Sequence, residues 1–523
     1  MMRPRMSWGP AWKATTTASH GTEPRRRGMT GEGVDDGARS GISSAMPRTE
    51  TTICVTLTVL ATTGCLRLAR TTATTTPPPP QYGELHEKEL TKVVPTDKPS
   101  ATFMLDGKPM CFAGSNNYYL IWKSEEMIDS VFQNSKNMGL TVFRQWGHLD
   151  AGSMDGKVPH LKDDGTKEGV YFQYWDSEAG KPAYNEGPDG LPRLDFLIKK
   201  AAEYDIKLVL TLTNNWADFG GMDQYLYYYG LDKHPQFYTD ERVKQAYKDW
   251  VTYLLNRVNT LTGVAYKDDP TVFAWELANE PRIRNYTKSD ATEGWDRDTI
   301  TQWAKEMAAH VRSIDPNHLI AVGDEGGFWN DTKPFYNGSD GVDHEALLAL
   351  DDVDYGTFHL YPDLWSTGIV WADTWIEDHI VAARKAWKPT VLEEYGVGVK
   401  RDKEGQIVQG WDRRVKAYRQ WNELMTERGG AGIMYWMQAG YDDYRKGRYT
   451  DYDGFTVYDV KTDETAQLLR PYTTAFPTKA RACELARQLG LTSKREVPAG
   501  FATTSAQPDE AKAIALIRHN GWH

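Results

Sequence analysis

The stretch "TVFAWELANE", residues 271–280, decides the fold. From Val272 to Ala278 it is apolar except for Glu276, with no polar–apolar alternation. A strand with one wet face would alternate, so this one is buried on both faces, as in a parallel sheet covered by helices. It turns polar at Asn279 and Glu280 and stops at Pro281, which has no N–H to continue a ladder.

The same unit recurs along the chain. Strands are predicted at 111–120, 140–146, 206–216, 271–280, 318–326, 353–362, 389–396 and 431–440. Segments with helical spacing lie between them, at 124–139, 191–205, 240–258, 299–314, 371–387 and 411–428, and a last one at 463–489 is expected to break at Pro477. A long Gly/Asp-rich loop carrying Tyr171, Phe172, Tyr174 and Trp175 runs from Gly147 to Gly190. Eight strand–helix repeats predict an α/β chain, most simply a (β/α)8 TIM barrel. The alternative, a doubly wound open sheet, more often announces itself by a glycine-rich turn after the first strand.

Barrels of this kind carry their sites at the carboxyl ends of the strands. Here those ends hold Asn116, Asn117 and Tyr118; Arg144 and Trp146; Asn214, Asn215 and Trp216; Asn279, Glu280 and Arg282; Asp324 and Glu325; His359 and Tyr361; Glu393, Glu394 and Tyr395; and Trp436 and Gln438. Any one has a structural explanation, an Asn or Asp as a helix cap or an aromatic closing the rim. All eight together point to a site. Carboxylates on the fourth and seventh strands, across the barrel mouth and between aromatic walls, suit glycoside hydrolysis: one acid protonates the leaving oxygen, the other carboxylate attacks the anomeric carbon or activates water. Arg144 beside one of them would keep it ionised. Glu276, mid-strand, is expected to point inward as a buried, hydrogen-bonded support. Glu393 and Glu394 are neighbours and are expected on opposite faces, so that one alone reaches the site.

Five stretches carry a resemblance: "WELANEPR" (275–282), "FHLYPD" (358–363), "LEEYGV" (392–397), "FRQWG" (143–147) and "NNWADFGG" (214–221). Together they resemble the endo-β-1,4-mannanases of glycoside hydrolase family five, closest to the fungal and plant type, over roughly residues 100–475. The resemblance implies Glu280 as acid/base and Glu394 as nucleophile. It implies Asn279 on the sugar 2-hydroxyl, Arg144 and Tyr361 holding the nucleophile, His359 in the polar network, and Trp436 as platform under the cleaved sugar. Asn116, Trp146, Trp216, Arg282, Glu325 and Trp365 fall where the family lines its cleft. A retaining double displacement on β-mannan is implied, with the carboxyl groups about 5–5.5 Å apart and neither cofactor nor metal. The long 147–190 loop is a departure, expected to wall one end of the cleft. The alternatives are a barrel acting on another β-glycan such as glucan, one that mainly transglycosylates, and an inactive surface sugar-binding protein.

The periphery is read from composition. Residues 1–80 hold ten basic and five acidic residues, leaving 81–523 near −16 of the total −11. An acidic body argues against nucleic acid as a partner. With 19 Trp and 28 Tyr, the chain is rich in flat side chains suited to sugar faces. Its four cysteines form no CxxC pair, which excludes a zinc ribbon. No zinc-ligand spacing, GxSxG elbow or P-loop is present. Residues 1–45 read as a disordered or upstream extension. Residues 46–65 have the layout of a signal peptide, ending in "TTGC" as lipoprotein cleavage boxes do, with Cys65 as the lipid-anchor candidate. Residues 66–99 read as a Thr/Pro-rich linker, 100–475 as the catalytic barrel, and 476–523 as a helical extension and tail. The expectation is an exported monomer, either released or anchored as a bacterial lipoprotein.

Overall fold

The computed structural model describes residues 92–95, 101–162, 165–284 and 294–488. The signal-like segment 46–65 with Cys65, most of the 66–99 linker and the tail past 488 lie outside the described residues.

Eight parallel strands form the body: β1 (Phe112–Asn117), β2 (Val142–Trp146), β3 (Lys207–Thr211), β4 (Val272–Glu276), β5 (Leu319–Ala321), β6 (Gly356–Leu360), β7 (Thr390–Tyr395) and β8 (Gly432–Tyr435). Their order is β5-β4-β3-β2-β1-β8-β7-β6, so β8 returns beside β1 and the sheet curls into a barrel. Only the seam between β5 and β6 lacks a regular ladder. It is bridged by Asp354 N donating to the Ile320 carbonyl (2.8 Å) and His359 N to that of Glu325 (3.1 Å), and by the Thr357 hydroxyl donating to the Asp324 carbonyl (3.2 Å). Almost every strand residue is buried, as the apolar runs required.

Several strands are shorter than predicted at their carboxyl ends. β4 stops at Glu276 and β3 at Thr211. Beyond them the polar residues leave the ladder to bond across the barrel mouth; Asn279 Nδ2, for example, donates to Asn214 Oδ1 (2.9 Å). The polar ends are loops aimed at a site rather than sheet.

A helix follows each strand: α1 (Glu125–Asn137), α2 (Pro192–Glu203), α3 (Glu241–Asn256), α4 (Thr299–Ile314), α5 (His344–Leu348), α6 (Ile369–Lys385), α7 (Trp411–Arg428) and α8 (Glu464–Gln488). Ser124 and Asp240 cap α1 and α3 through their side chains. α5 was not anticipated, because five residues are too few to display a helical period. α8 runs through Pro471 and Pro477 without the expected break. Ala466, Leu469, Phe476 and Ala480 bury one face of it in the same core as Tyr418 and Trp421 of α7, and that packing outweighs the lost backbone bonds.

Two further elements shape the barrel. Lys92–Pro95, read as linker, is a strand paired antiparallel with Ala101–Leu105, which in turn pairs with Lys108–Met110. This ribbon closes the barrel floor: Phe103 is fully buried, its ring 5.8 Å from Phe112 and 5.3 Å from both Phe273 and Tyr355. Phe103→Ala is expected to destabilise the fold by about 3–5 kcal/mol, read by urea unfolding. The 147–190 loop forms a small sheet of Asp150–Ser153, Gln173–Asp176 and Lys181–Tyr184. Phe172 is buried, and Trp175 stacks on Tyr228 (5.5 Å, 24°) in the helix Gly221–Tyr228.

Candidate active site

Arg144 organises the site. It lies on β2 facing the barrel interior, fully buried. A buried guanidinium persists only when its donors are met by well-placed acceptors. Its Nε donates to Glu276 Oε1 and Oε2 (3.1 and 2.9 Å), and its Nη2 to Glu276 Oε1 and Asn279 Oδ1 (both 2.7 Å). Nη1 reaches Asn116 Oδ1 (3.2 Å) and Glu394 Oε1 (2.5 Å). One side chain thus ties β1, β2, β4 and β7 together. Glu276 also accepts from Thr211 Oγ1 (2.8 Å), making it the buried, hydrogen-bonded support its mid-strand position predicted.

Of the carboxyl groups that line the cleft, Glu280 and Glu394 approach one another. Glu394, at the end of β7, accepts from Arg144 and, through Oε2, from the Tyr361 hydroxyl (2.7 Å). Glu280 lies past the end of β4. Its Oε1 pairs with His359 Nδ1 (2.7 Å), and its Oε2 accepts from Trp216 Nε1 (2.5 Å). Its backbone is left-handed, with φ 50°, an uncommon conformation for a side chain of this kind, and its N–H is held by the Gly323 carbonyl (2.9 Å). Donor atoms of Glu280, His359 and Glu394 all lie within 4.8 Å of one another. That is close enough for a cation, but each carboxylate is already satisfied and Arg144 opposes a further positive charge.

Burial pushes the Glu280 carboxyl up, but the hydrogen bond and charge of His359, with Arg282 and Trp216, hold it down to about 2. His359 is raised well above its ordinary range: burial opposes this, and Glu394 and Glu280 overcome it. Burial raises Glu394, and the charge of Glu280 adds to the rise against His359 and Arg144. These opposed directions favour a charged pair in which His359 Nδ1 shares its proton with the Glu280 carboxylate.

Glu393 corrects the expectation of opposite faces. The β6–β7 register slips between Phe358 and His359, so Phe358 pairs with Leu392 and His359 with Glu394. The bulge turns both glutamates inward at different depths. Glu393 lies beneath the site, 3.6 Å from Arg144 Nε and 3.7 Å from His359 Nε2, and burial followed by the charge of Glu276 pushes its carboxyl up to about 8. Glu394 alone lines the cleft.

The cleft opens between Tyr118, Trp146, Trp216, Phe219, Tyr361, Trp365, Trp436 and Phe455. Trp436 lies nearly parallel to Tyr118 (6.1 Å, 16°) and donates its indole N–H to Asp453 Oδ2 (2.9 Å). Arg282 is ion-paired with Glu325 and lies over the Trp216 ring (5.5 Å).

A carboxylate pair in an aromatic cleft at the mouth of a (β/α)8 barrel agrees with what known proteins show. Residues 100–440 match the family model described as GH family 5 beta-mannosidase-like. The chain belongs to glycoside hydrolase family 5. This family 5 hydrolase is 38% identical over 370 residues to the probable mannan endo-1,4-beta-mannosidase C of Aspergillus terreus, covering 68% of this chain and 86% of that protein. The crystal structure of the endo-1,4-beta-mannanase from Rhizomucor miehei superposes with a TM-score of 0.65 at 36% identity, over 74% of this chain and all but 1% of that one, which it covers to 99%. The endo-beta-1,4-mannanase from Thermotoga petrophila gives a TM-score of 0.59 at 40% identity, over 71% of this chain and 78% of that one.

In this family 5 hydrolase, Arg144, Asn279, Glu280, His359, Tyr361 and Glu394 meet in one polar cluster. Trp146, Trp216, Arg282, Glu325, Trp365 and Trp436 line the cleft. Asn116 does not. It is buried behind Arg144 and donates to the Glu393 carbonyl (2.9 Å), because its place on β1 turns it into the barrel. No residue of 147–190 among those described lines the cleft either. Its aromatics pack elsewhere, Trp175 on Tyr228 and Tyr184 on Tyr253 of α3, and the loop meets the cleft from behind: Asp150 N donates to the Phe219 carbonyl (2.9 Å) and Lys162 pairs with Asp218 (2.6 Å). Sequence reasoning missed Asp218, Phe219, Leu364, Asp453 and Phe455 in the lining. The last two sit on a Gly454 turn after β8, and the one signal for them was the turn-like "DYDGF" at 451–455.

Proposed function

We propose that this protein is a retaining endo-β-1,4-mannanase. The observation that carries the chemistry is the approach of Glu280 and Glu394 oxygens to within 4.8 Å. Inverting enzymes hold their carboxyl groups about 6.5–9.5 Å apart to seat a water between them, whereas retaining ones hold them at about 5–5.5 Å. Although this is an oxygen-to-oxygen distance, it supports direct attack. The substrate class rests on the names of the mannanase relatives and on the aromatic cleft.

Glu394 attacks the anomeric carbon while the glycosidic C–O bond breaks, and Glu280 delivers the shared proton to the leaving oxygen. Arg144 and Tyr361 aim Glu394 and favour its ionised form against burial and the charge of Glu280. A water then attacks the glycosyl ester and gives its proton back to Glu280, which frees Glu394 with net retention. The signal-like segment 46–65 supports export, which fits a polymeric substrate found outside cells.

Reducing-sugar release on β-mannan should exceed that on carboxymethylcellulose, and the first product detected by NMR should be the β-anomer. Faster hydrolysis of the cellulose derivative would overturn the substrate, and an α-anomer the mechanism.

A further inference from the structure

Asp453 is a carboxyl group in the cleft with no part in the two-carboxylate chemistry. It is held from two sides: Oδ1 accepts from Phe455 N (2.8 Å) and Oδ2 from the indole N–H of Trp436 (2.9 Å). Trp436 is fixed on its other flank by Tyr118, and both Trp436 and Asp453 line the cleft. Asp451 neighbours Asp453 on the same loop and is itself paired with Arg401 (3.2 Å) from the loop after β7. Tyr118 after β1, Tyr361 after β6 and Tyr418 on α7 also feel its charge. Burial, then Asp451, pushes the Asp453 carboxyl up to about 6, so it is ionised at pH 7.5 and largely protonated at pH 5.

An ionised acceptor makes a stronger hydrogen bond than a neutral one. An aromatic face attracts positive charge through its quadrupole. A carboxylate on the indole N–H pushes electron density into the ring and strengthens that attraction. Hydrolysis passes through an oxocarbenium-like transition state, so the added attraction is larger there than in the ground state and raises kcat rather than lowering KM.

We propose that Asp453 is a positioning residue that fixes Trp436 as the floor of the cleft and, through its negative charge, tunes that ring to the cation developing on the sugar. The inference rests on the glycosidase reading of the site. Asp453→Asn keeps an acceptor for the indole and removes the charge. At pH 7.5 it is expected to lower kcat about three- to tenfold with KM nearly unchanged, and the deficit should shrink at pH 5. In a Trp436→Phe background, which has no indole N–H, the same change should cost nothing further. An Asp453→Asn enzyme equal to wild type at pH 7.5, or the same loss in the Trp436→Phe background, overturns the proposal.

A readout free of activity separates this inference from the functional one. In protein labelled with 15N-tryptophan, the indole signal identified by its loss in Trp436→Phe should move with pH near 6 in the wild type and stay fixed in Asp453→Asn. A signal that does not titrate in the wild type overturns the tuning whatever the substrate proves to be.

Discussion

Glu394→Ala is expected to lower kcat on β-mannan by on the order of 10^4-fold, the scale seen when an enzyme loses its nucleophile. Glu394 is the carboxylate that both lines the cleft and receives Arg144 and Tyr361. Without it, the anomeric carbon has no partner on the face opposite the leaving group. The methyl group of alanine leaves room there for a small anion. Azide should therefore restore turnover of an activated aryl glycoside and give the α-glycosyl azide, with one inversion and no covalent intermediate. The control is Glu393→Gln. Its amide matches the shape of a carboxyl group held neutral by burial, so activity near neutral pH should fall far less than for Glu394→Ala. Near-native activity in Glu394→Ala, with the loss appearing in Glu393→Gln, would reverse the assignment.

Glu280→Ala is expected to reduce hydrolysis of mannan about a hundred- to ten-thousandfold, the range for loss of a positioned proton donor. The defect should depend on the leaving group. An activated aryl leaving group needs little protonation, so the first step should persist and the glycosyl ester on Glu394 should build up. Pre-steady-state kinetics would show a burst of aryl alcohol, and azide, entering where water was activated, would yield the β-azide. Opposite azide anomers from the two variants would separate the roles of the two glutamates more firmly than either loss of rate alone.

The barrel was legible because each strand advertised two buried faces and a polar carboxyl end. Those ends also exposed Arg144, Glu280, His359, Tyr361 and Glu394, since a polar residue closing an apolar strand needs a reason. Three features were hidden. The bulge at His359 that turns Glu393 inward leaves no mark in a sequence read by strict alternation. The left-handed backbone at Glu280, whose N–H is held by the Gly323 carbonyl, carries no glycine to betray it. Asp453 and Phe455 come to the cleft on an irregular loop, where no periodicity points inward.

The seam between β5 and β6 gives Glu394 and Glu280 unequal footing. Glu394 stands on a strand paired on both sides, with β6 and with β8. Glu280 stands beyond the end of its strand, in a turn fastened to Gly323 just past β5, and leans on His359 just across the weakly joined edge. Warming loosens such an edge before it disturbs a ladder. Heat would thus reach the His359–Glu280 contact before it reaches Glu394, and a variant hardened for hot conditions would gain more from stitching that edge than from tightening the barrel elsewhere.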